Sequence, residues 1–282
     1  YFPTNFFRSK IDSLHTHAVL NAIKKYKIKF DIIHAHFTSP SGVAGHIIKK
    51  ETKKPLILTI HENSKWFHEE LKEAKQQNIM LWREADLIIR WNDTDLLKLT
   101  TFNKNLISLP IGFDPGNLNY MDLSASKKEL KIPDNTIHIV SMGALIERKG
   151  FDYLIEAMNI LRKKRTNCLC SIIGSGVLKP HLKNKIKRLG LEREIRIIDP
   201  VNYYYKALWF SSADVFVMPS LSESFGLVTL EAMACGSPVV ATINGGSELI
   251  VNDRNGILCN PGDSDCLADA IYRAICSNWD RR

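Results

Sequence analysis

The 282-residue chain reads as an α/β protein of two doubly wound parallel-sheet domains. Three observations predict this class. Short apolar, β-rich runs alternate with helical periodicity along the whole length, the pattern of parallel strands covered by helices. The alternation stops once, at the Pro-, Gly-, Asn- and Ser-rich stretch "PIGFDPGNLNYMDLSASKKELKIPDN", and then restarts. At 32.0 kDa the chain has the length of two ordinary domains. The predicted partition is 1–111 and 112–282, with a cleft between the two halves.

In the first half, "FDIIHAHF", "PLILTIH", "ADLIIRW" and "LISLP" read as short buried strands, with helices over "HAVLNAIKKYKI" and "FHEELKEAKQQNIMLWRE". The linking stretch has room for one short helix. In the second half "IHIVSM", "CLCSII", "EIRII", "DVFVMP" and "PVVAT" read as strands. A helix after the first of these is well marked, because Phe151, Leu154, Ile155, Met158 and Leu161 repeat at helical spacing. Another helix opens near Phe225–Gly226 and places Leu227, Leu230 and Ala234 on one face.

The net charge of +8 asks for an anionic partner, whether phosphate, nucleic acid or membrane surface. All six cysteines fall in the second half without C-x-x-C spacing, which fits reduced thiols in a cytoplasmic protein better than disulfides. No run reaches the roughly 18 apolar residues of a membrane span.

In open parallel sheets ligands bind beyond the carboxyl ends of strands, so the residues just after strands carry the chemistry. "SESFGLVTLEAMA" follows the strand "DVFVMP" and opens a helix. The unpaired N–H groups and dipole of its first turn make an anion site, and Gly226 lets a phosphate approach the backbone. Glu223 precedes this turn, and Glu231 lies about 7 Å further along, at about 1.5 Å per residue. Carboxylates beside a phosphate site do not attract the anion. They accept hydroxyl pairs, which suits the diols on either side of a nucleotide-sugar diphosphate. In "SMGALIERKGFDYLIEA", Gly143 permits a tight turn and Lys149 stands ahead of a helix as a fixed cation for that diphosphate.

These segments, with "GGSELI" and "NGILCNPGD", resemble the retaining GT-B glycosyltransferases of family 4, and "FDIIHAHF", "PLILTIHE", "READLII" and "LPIGFD" follow that family's order more loosely. The resemblance implies a transferase of the EC 2.4 class. It would move a sugar from a nucleotide-diphosphate sugar to an acceptor hydroxyl with retention, needing no metal or other cofactor, in polysaccharide or glycolipid biosynthesis. It implies catalytic roles for His61 and Glu223, with Glu223 on the transferred sugar. The backbone at Phe225, Gly226 and Leu227 would hold the phosphate with Lys149 neutralising it, Glu231 would hold the ribose and the segment at Val201 the base, with Arg148 and Gly143 also among the substrate-binding residues. The acceptor would be a glycan, a lipid-linked or a small molecule, and the location cytoplasmic, including the inner face of the membrane. The family's opening strand and glycine-rich loop have no counterpart after Tyr1, nor its closing helix before Arg282, so the N-terminal domain reads as incomplete. Ala144, Ile111 and Ser247 stand where the family commonly has arginine, asparagine and proline.

Other motifs have simpler readings. Asp93–Asp95 and Asp263–Asp265 match D-x-D but precede helices, where aspartate caps free N–H groups. His34 and His36 match the H-x-H of metal-dependent hydrolases, which makes a divalent-metal hydrolase the alternative function. "GSG" at 174–176 lacks a full dinucleotide fingerprint. Lys24, Lys25, Lys27 and Lys29 read as one basic helix face, solvated or set against anionic lipid. Nucleic acid is disfavoured, because no stacking aromatics are interleaved with the lysines.

Overall fold

The computed structural model describes the backbone at residues 5–73, 75–116, 118–164 and 166–281, and the side chains at all of these except 5–9 and 204. Tyr1 and Arg282, the outer limits of the two expected partial domains, lie outside the described residues. The chain divides into two compact units, Tyr1–Gly112 and Phe113–Arg282.

In the first unit α1 (Asn5–Lys25) precedes β1 (Ile33–His36), α2 (Val43–Thr52), β2 (Leu56–Thr59), α3 (Ser64–Glu73), α4 (Gln76–Glu84), β3 (Leu87–Arg90), α5 (Asp93–Leu97) and β4 (Leu106–Ser108). The strands form a parallel sheet in chain order, β1-β2-β3-β4. Leu56, Leu58, Ile60, Phe67, Leu81, Trp82, Ile88 and Leu99 make the core. Within it lies a charge: Arg90 is fully buried, and its guanidinium reaches Asp95 Oδ2 at 2.5 Å and donates to the Glu62 carbonyl at 3.0 Å. The Phe67 ring packs 4.3 Å below it.

The basic segment is not one helix face. α1 ends at Lys25, so Lys24 and Lys25 sit in its last turn while Lys27, at φ 49°, and Lys29 follow the helix. The aspartate reading fails at Asp95 for a related reason. Asn92 caps α5 by accepting from the Asp95 N–H, and the Asp95 carboxylate instead answers Arg90, Ser64 and His68. Asp263 does cap its helix, accepting from the Cys266 N–H at 2.9 Å.

The second unit runs α6 (Leu123–Glu129), β5 (Ile137–Met142), α7 (Phe151–Lys163), β6 (Cys168–Ile173), α8 (Lys179–Arg188), β7 (Ile195–Ile198), α9 (Tyr203–Ser211), β8 (Val215–Met218), α10 (Leu227–Ala234), β9 (Val239–Thr242), β10 (Gly256–Cys259) and α11 (Ser264–Cys276). Its parallel sheet has the order β10-β9-β8-β5-β6-β7. Successive strand residues face opposite sides. Ile139, Val215 and Val217 join Leu154, Ile155, Met158 and Ile271 on one face. Val140, Phe216 and Met218 join Phe210, Ala232 and Cys235 on the other. All five periodic residues of α7 are buried.

His138 enters this sheet as a buried polar group. Its ring nitrogens lie 3.0 Å from Ser212 Oγ and 2.8 Å from Ser171 Oγ. Burial pushes its pKa down to about 3, so the imidazole is neutral. All six cysteines are free thiols; burial raises Cys235 and Cys259 to about 12, leaving them unreactive at neutral pH.

Candidate functional site

The strand order of the second unit reverses at β5, which pairs with β6 on one side and β8 on the other. At such a switch point the connections leave in opposite directions and open a crevice beyond the carboxyl ends. The segments bearing Lys149 and Glu223 follow β5 and β8, so both rise from this place.

A 3-10 turn, Glu147–Lys149, leads into α7 through Gly150, whose φ of 66° favours glycine. A Cβ here would stand 2.0 Å from the Pro219 carbonyl oxygen. The turn and the loop after β8 therefore lie backbone against backbone, joined by a Leu221 N–H donating to Arg148 O at 2.8 Å. Gly143 does not have positive φ, and a Cβ there would make only ordinary contacts with Phe151 and Lys149. The turn after β5 does not require glycine.

Glu223 is 7% exposed and ion-paired to both preceding cations. Lys149 Nζ donates to Oε1, Arg148 Nη1 reaches Oε2 at 3.2 Å, and Arg148 also donates to Ser222 O at 2.9 Å. Ser220 Oγ adds a bond to Oε1 at 2.8 Å. Behind the carboxylate, the Glu223 N–H donates to Asn244 O at 3.0 Å, Asn244 Oδ1 accepts from the N–H groups of Gly246 and Ser247, and the Glu248 carboxylate accepts from those of Asn244 and Gly245. Glu223 is thus fixed from both sides before any ligand arrives.

Helix α10 opens at Gly226, whose φ of 90° favours glycine, and the Thr229 N–H closes its first turn onto Gly226 O at 2.8 Å. Phe225 precedes it and Leu227 follows, 42% exposed. The buried face of α10 differs from the one expected. Thr229 and Ala232 are buried and Val228 and Met233 pack on the core, while Leu227 is exposed. Glu231 projects on the partly open side, and both of its oxygens lie near Lys206 Nζ of α9, at 2.9 and 3.1 Å. Val201 packs partly buried just ahead of Asn202, the cap of α9.

In the first unit His61 falls two residues beyond β2. Its Nε2 lies 2.8 Å from His36 Nδ1, and the two rings stack at 5.1 Å. His34 Nε2 lies 2.8 Å from Thr59 Oγ1. Burial lowers the pKa of His61, as do the neighbouring His36, His34 and Arg90; burial and His36 lower that of His34. Beside them Glu62 accepts the Thr38 N–H at 2.7 Å, and burial raises its carboxyl pKa. The hydrolase reading is not supported: among the described residues no group of three or more His, Cys, Asp or Glu could hold a metal ion. The ring nitrogens of His36 and His61 engage each other.

The sequence reasoning missed Ser220, Asn244 and Glu248, which hold Glu223, and Lys206, which holds Glu231. Asn244 and Glu248 flank the Gly-Gly pair of "NGGSE", a turn signal that would have marked a loop worth examining. Lys206 lies 25 residues from its partner and gives no local signal. Among the described residues no helix is long and apolar enough to cross a membrane.

Comparison with known proteins adds an independent line. The profile of the family glycosyl transferases group 1 matches residues 123–282, and that of glycosyltransferase family 4 matches residues 1–92. A D-inositol 3-phosphate glycosyltransferase of Arthrobacter sp. (strain FB24) is 33% identical over 260 residues, covering 86% of this chain and 62% of that protein. The chain thus spans about three fifths of the length of the curated relatives it matches. Among solved structures, sucrose-phosphate synthase from Thermosynechococcus elongatus superposes with a TM-score of 0.79 at 23% identity, covering 98% of this chain and 71% of its own. Anabaena HepE, solved with UDP and glucose, gives 0.73 at 24%, covering 92% and 71%. At these identities the likeness shows the fold, a pair of Rossmann-like parallel sheets of the GT-B class.

Proposed function

The chain belongs to the glycosyl transferases group 1 family, and from that premise we propose that it moves a sugar from a nucleoside diphosphate-sugar to an acceptor hydroxyl, with retention at the anomeric carbon and without a metal ion. The observation that carries this reading is the meeting of Lys149, Arg148 and Glu223 at the switch point, beside the N-terminus of α10.

The diphosphate rests on the backbone at Phe225, Gly226 and Leu227, the entry to α10, where the helix dipole favours negative charge. Lys149 turns from Glu223 to the diphosphate and exchanges one anionic partner for another. That exchange frees Glu223 to accept hydroxyls of the transferred sugar, so sugar recognition follows the arrival of the phosphates. Glu231 accepts the ribose hydroxyls, the base lies along the backbone at Val201, and His61 meets the donor sugar. The departing diphosphate helps to deprotonate the acceptor hydroxyl on the same face of the sugar, which gives retention. A retaining route through a covalent intermediate would need a carboxylate nucleophile near a second carboxyl, whereas the side-chain partners of Glu223 are Lys149, Arg148 and Ser220. The protein contributes positioning and stabilises charge on the leaving group. Because Anabaena HepE was also solved with UDP-glucose, uridine donors are the first to test.

Thermal shift with uridine, guanosine and adenosine diphosphate-sugars tests the reading. One donor class should stabilise the chain equally with and without EDTA, and the product anomer read by NMR should match the donor's. Stabilisation lost in EDTA and restored by manganese, or a response to zinc alone, would overturn it.

A further inference from the structure

Glu223 is held by cations next to it in the fold's own switch-point loop, but Glu231 is held by a residue of another helix. Lys206 stands on α9 with its Nζ 2.9 and 3.1 Å from the two oxygens of Glu231, and the paired side chains are only 23% and 13% exposed. The ammonium also lies 5.4 Å from the centre of the Tyr203 ring, whose hydroxyl donates to Asp114 O at 2.8 Å. Lys206 is therefore packed between a carboxylate and an aromatic ring anchored to the segment before α6. It is not a solvated lysine that happens to reach an acid.

We propose that Lys206 is a positioning residue for the nucleotide's ribose, acting through Glu231. This rests on the reading of Glu231 as the ribose acceptor. A carboxylate offers about four lone-pair positions, and one ammonium contacting both oxygens occupies two of them. The remaining two are left for a vicinal diol, so Lys206 and a ribose share Glu231 without competing. The two-point contact fixes the plane of the carboxylate before binding and so removes part of the ordering cost when the diol arrives. Without Lys206, the Glu231 carboxylate loses that fixed plane and must be ordered by the diol itself.

The prediction is a dependence on the sugar hydroxyls. Lys206→Ala should weaken binding of uridine diphosphate to the 282-residue chain by roughly three- to tenfold, in the lower part of the range of coupling between contacting residues. The same variant should bind 2′-deoxyuridine diphosphate about as well as the unaltered chain does, because the diol that Glu231 serves is already broken. Lys206→Arg should recover most of the loss, since a guanidinium can also face both oxygens. Calorimetry of both ligands against the unaltered chain, Lys206→Ala, Lys206→Arg and Glu231→Ala decides the matter. Equal losses of both nucleotides in Lys206→Ala would mark a general structural role and overturn the inference. So would unchanged uridine diphosphate affinity in Lys206→Ala while Glu231→Ala weakens it. If Glu231→Ala itself leaves uridine diphosphate binding intact, the assignment of Glu231 to the ribose fails, a separate outcome. Thermal melts of each variant show whether any loss comes from unfolding.

Discussion

The two units differ in what they hold at the carboxyl ends of their strands. In the first unit a full ion pair, Arg90 with Asp95, lies inside the fold, and the carboxyl ends of β1 and β2 present imidazoles whose pKa values are lowered at His34 and His61. In the second unit the buried polar groups include the neutral His138 and Lys127, which pairs with Asp214 at 2.7 Å ahead of β8, while the triad of Lys149, Arg148 and Glu223 stands beyond the carboxyl ends. The strand orders match this division. The second sheet reverses between β8 and β6, and the described strands of the first run in chain order. A buried pair is costly to break, whereas charge at a switch point is placed where it can exchange partners with a ligand.

The contrast can be broken first at Asp95. Asp95→Ala leaves the fully buried Arg90 without its counter-charge and should cost the first unit about 3–5 kcal/mol. Urea unfolding followed by the tryptophans of that unit measures it; a loss below about 1 kcal/mol would show that the pair is not what holds the layer.

The cation cluster of the second unit should respond in function instead. On the proposed reading, Lys149→Ala removes a charge-assisted bond to the diphosphate, worth about 1.5–3 kcal/mol, and should weaken nucleoside diphosphate by roughly 10- to 150-fold. Glu223→Ala should do the reverse for the bare nucleotide, leaving affinity unchanged or tighter because Lys149 is already released, while transfer from the intact donor falls. Calorimetry paired with turnover separates the two. Parallel losses of bare nucleotide in both variants would sink the partner exchange.

A milder contrast is one of pH. The folded-state pKa of His138, about 3, lies below its unfolded value of about 6.5. Between these values the unfolded chain binds a proton that the folded chain refuses. Stability from this group is thus complete above about pH 6.5 and falls with pH below it, by about 2 kcal/mol at pH 5. His138→Gln should flatten that part of the slope between pH 7 and 5 in denaturation of the second unit. An unchanged slope would mean that other groups carry it.

How much of this was legible depends on whether the signal was local. The strands of the second half are buried on both faces, so "IHIVSM" and "CLCSII" announced β5 and β6 to the residue, and α7 announced itself through a five-residue apolar repeat. β10 was missed because "GILC" is four residues long with no alternation. α1 extends to Asn5, well before its apolar stretch begins. The loops bearing Lys149 and Glu223 were legible as strand-to-helix turns sharing one anion site, but their direct ion pair was not, because a contact 74 residues apart leaves no local signal. Asp95 was misread for the same reason: the capping pattern is local, while Ser64 and His68 reach it from α3.

The absence of a side chain at Gly150, where the chain touches the Pro219 carbonyl, has a consequence for engineering. The turn before α7 and the loop after β8 are separated by some seventy positions in the gene, yet they form one moulded piece. A loop graft from a relative that replaces either alone would bring a foreign backbone path against the retained one. Donor-specificity swaps in this scaffold should therefore be cut so that both segments travel together as a cassette.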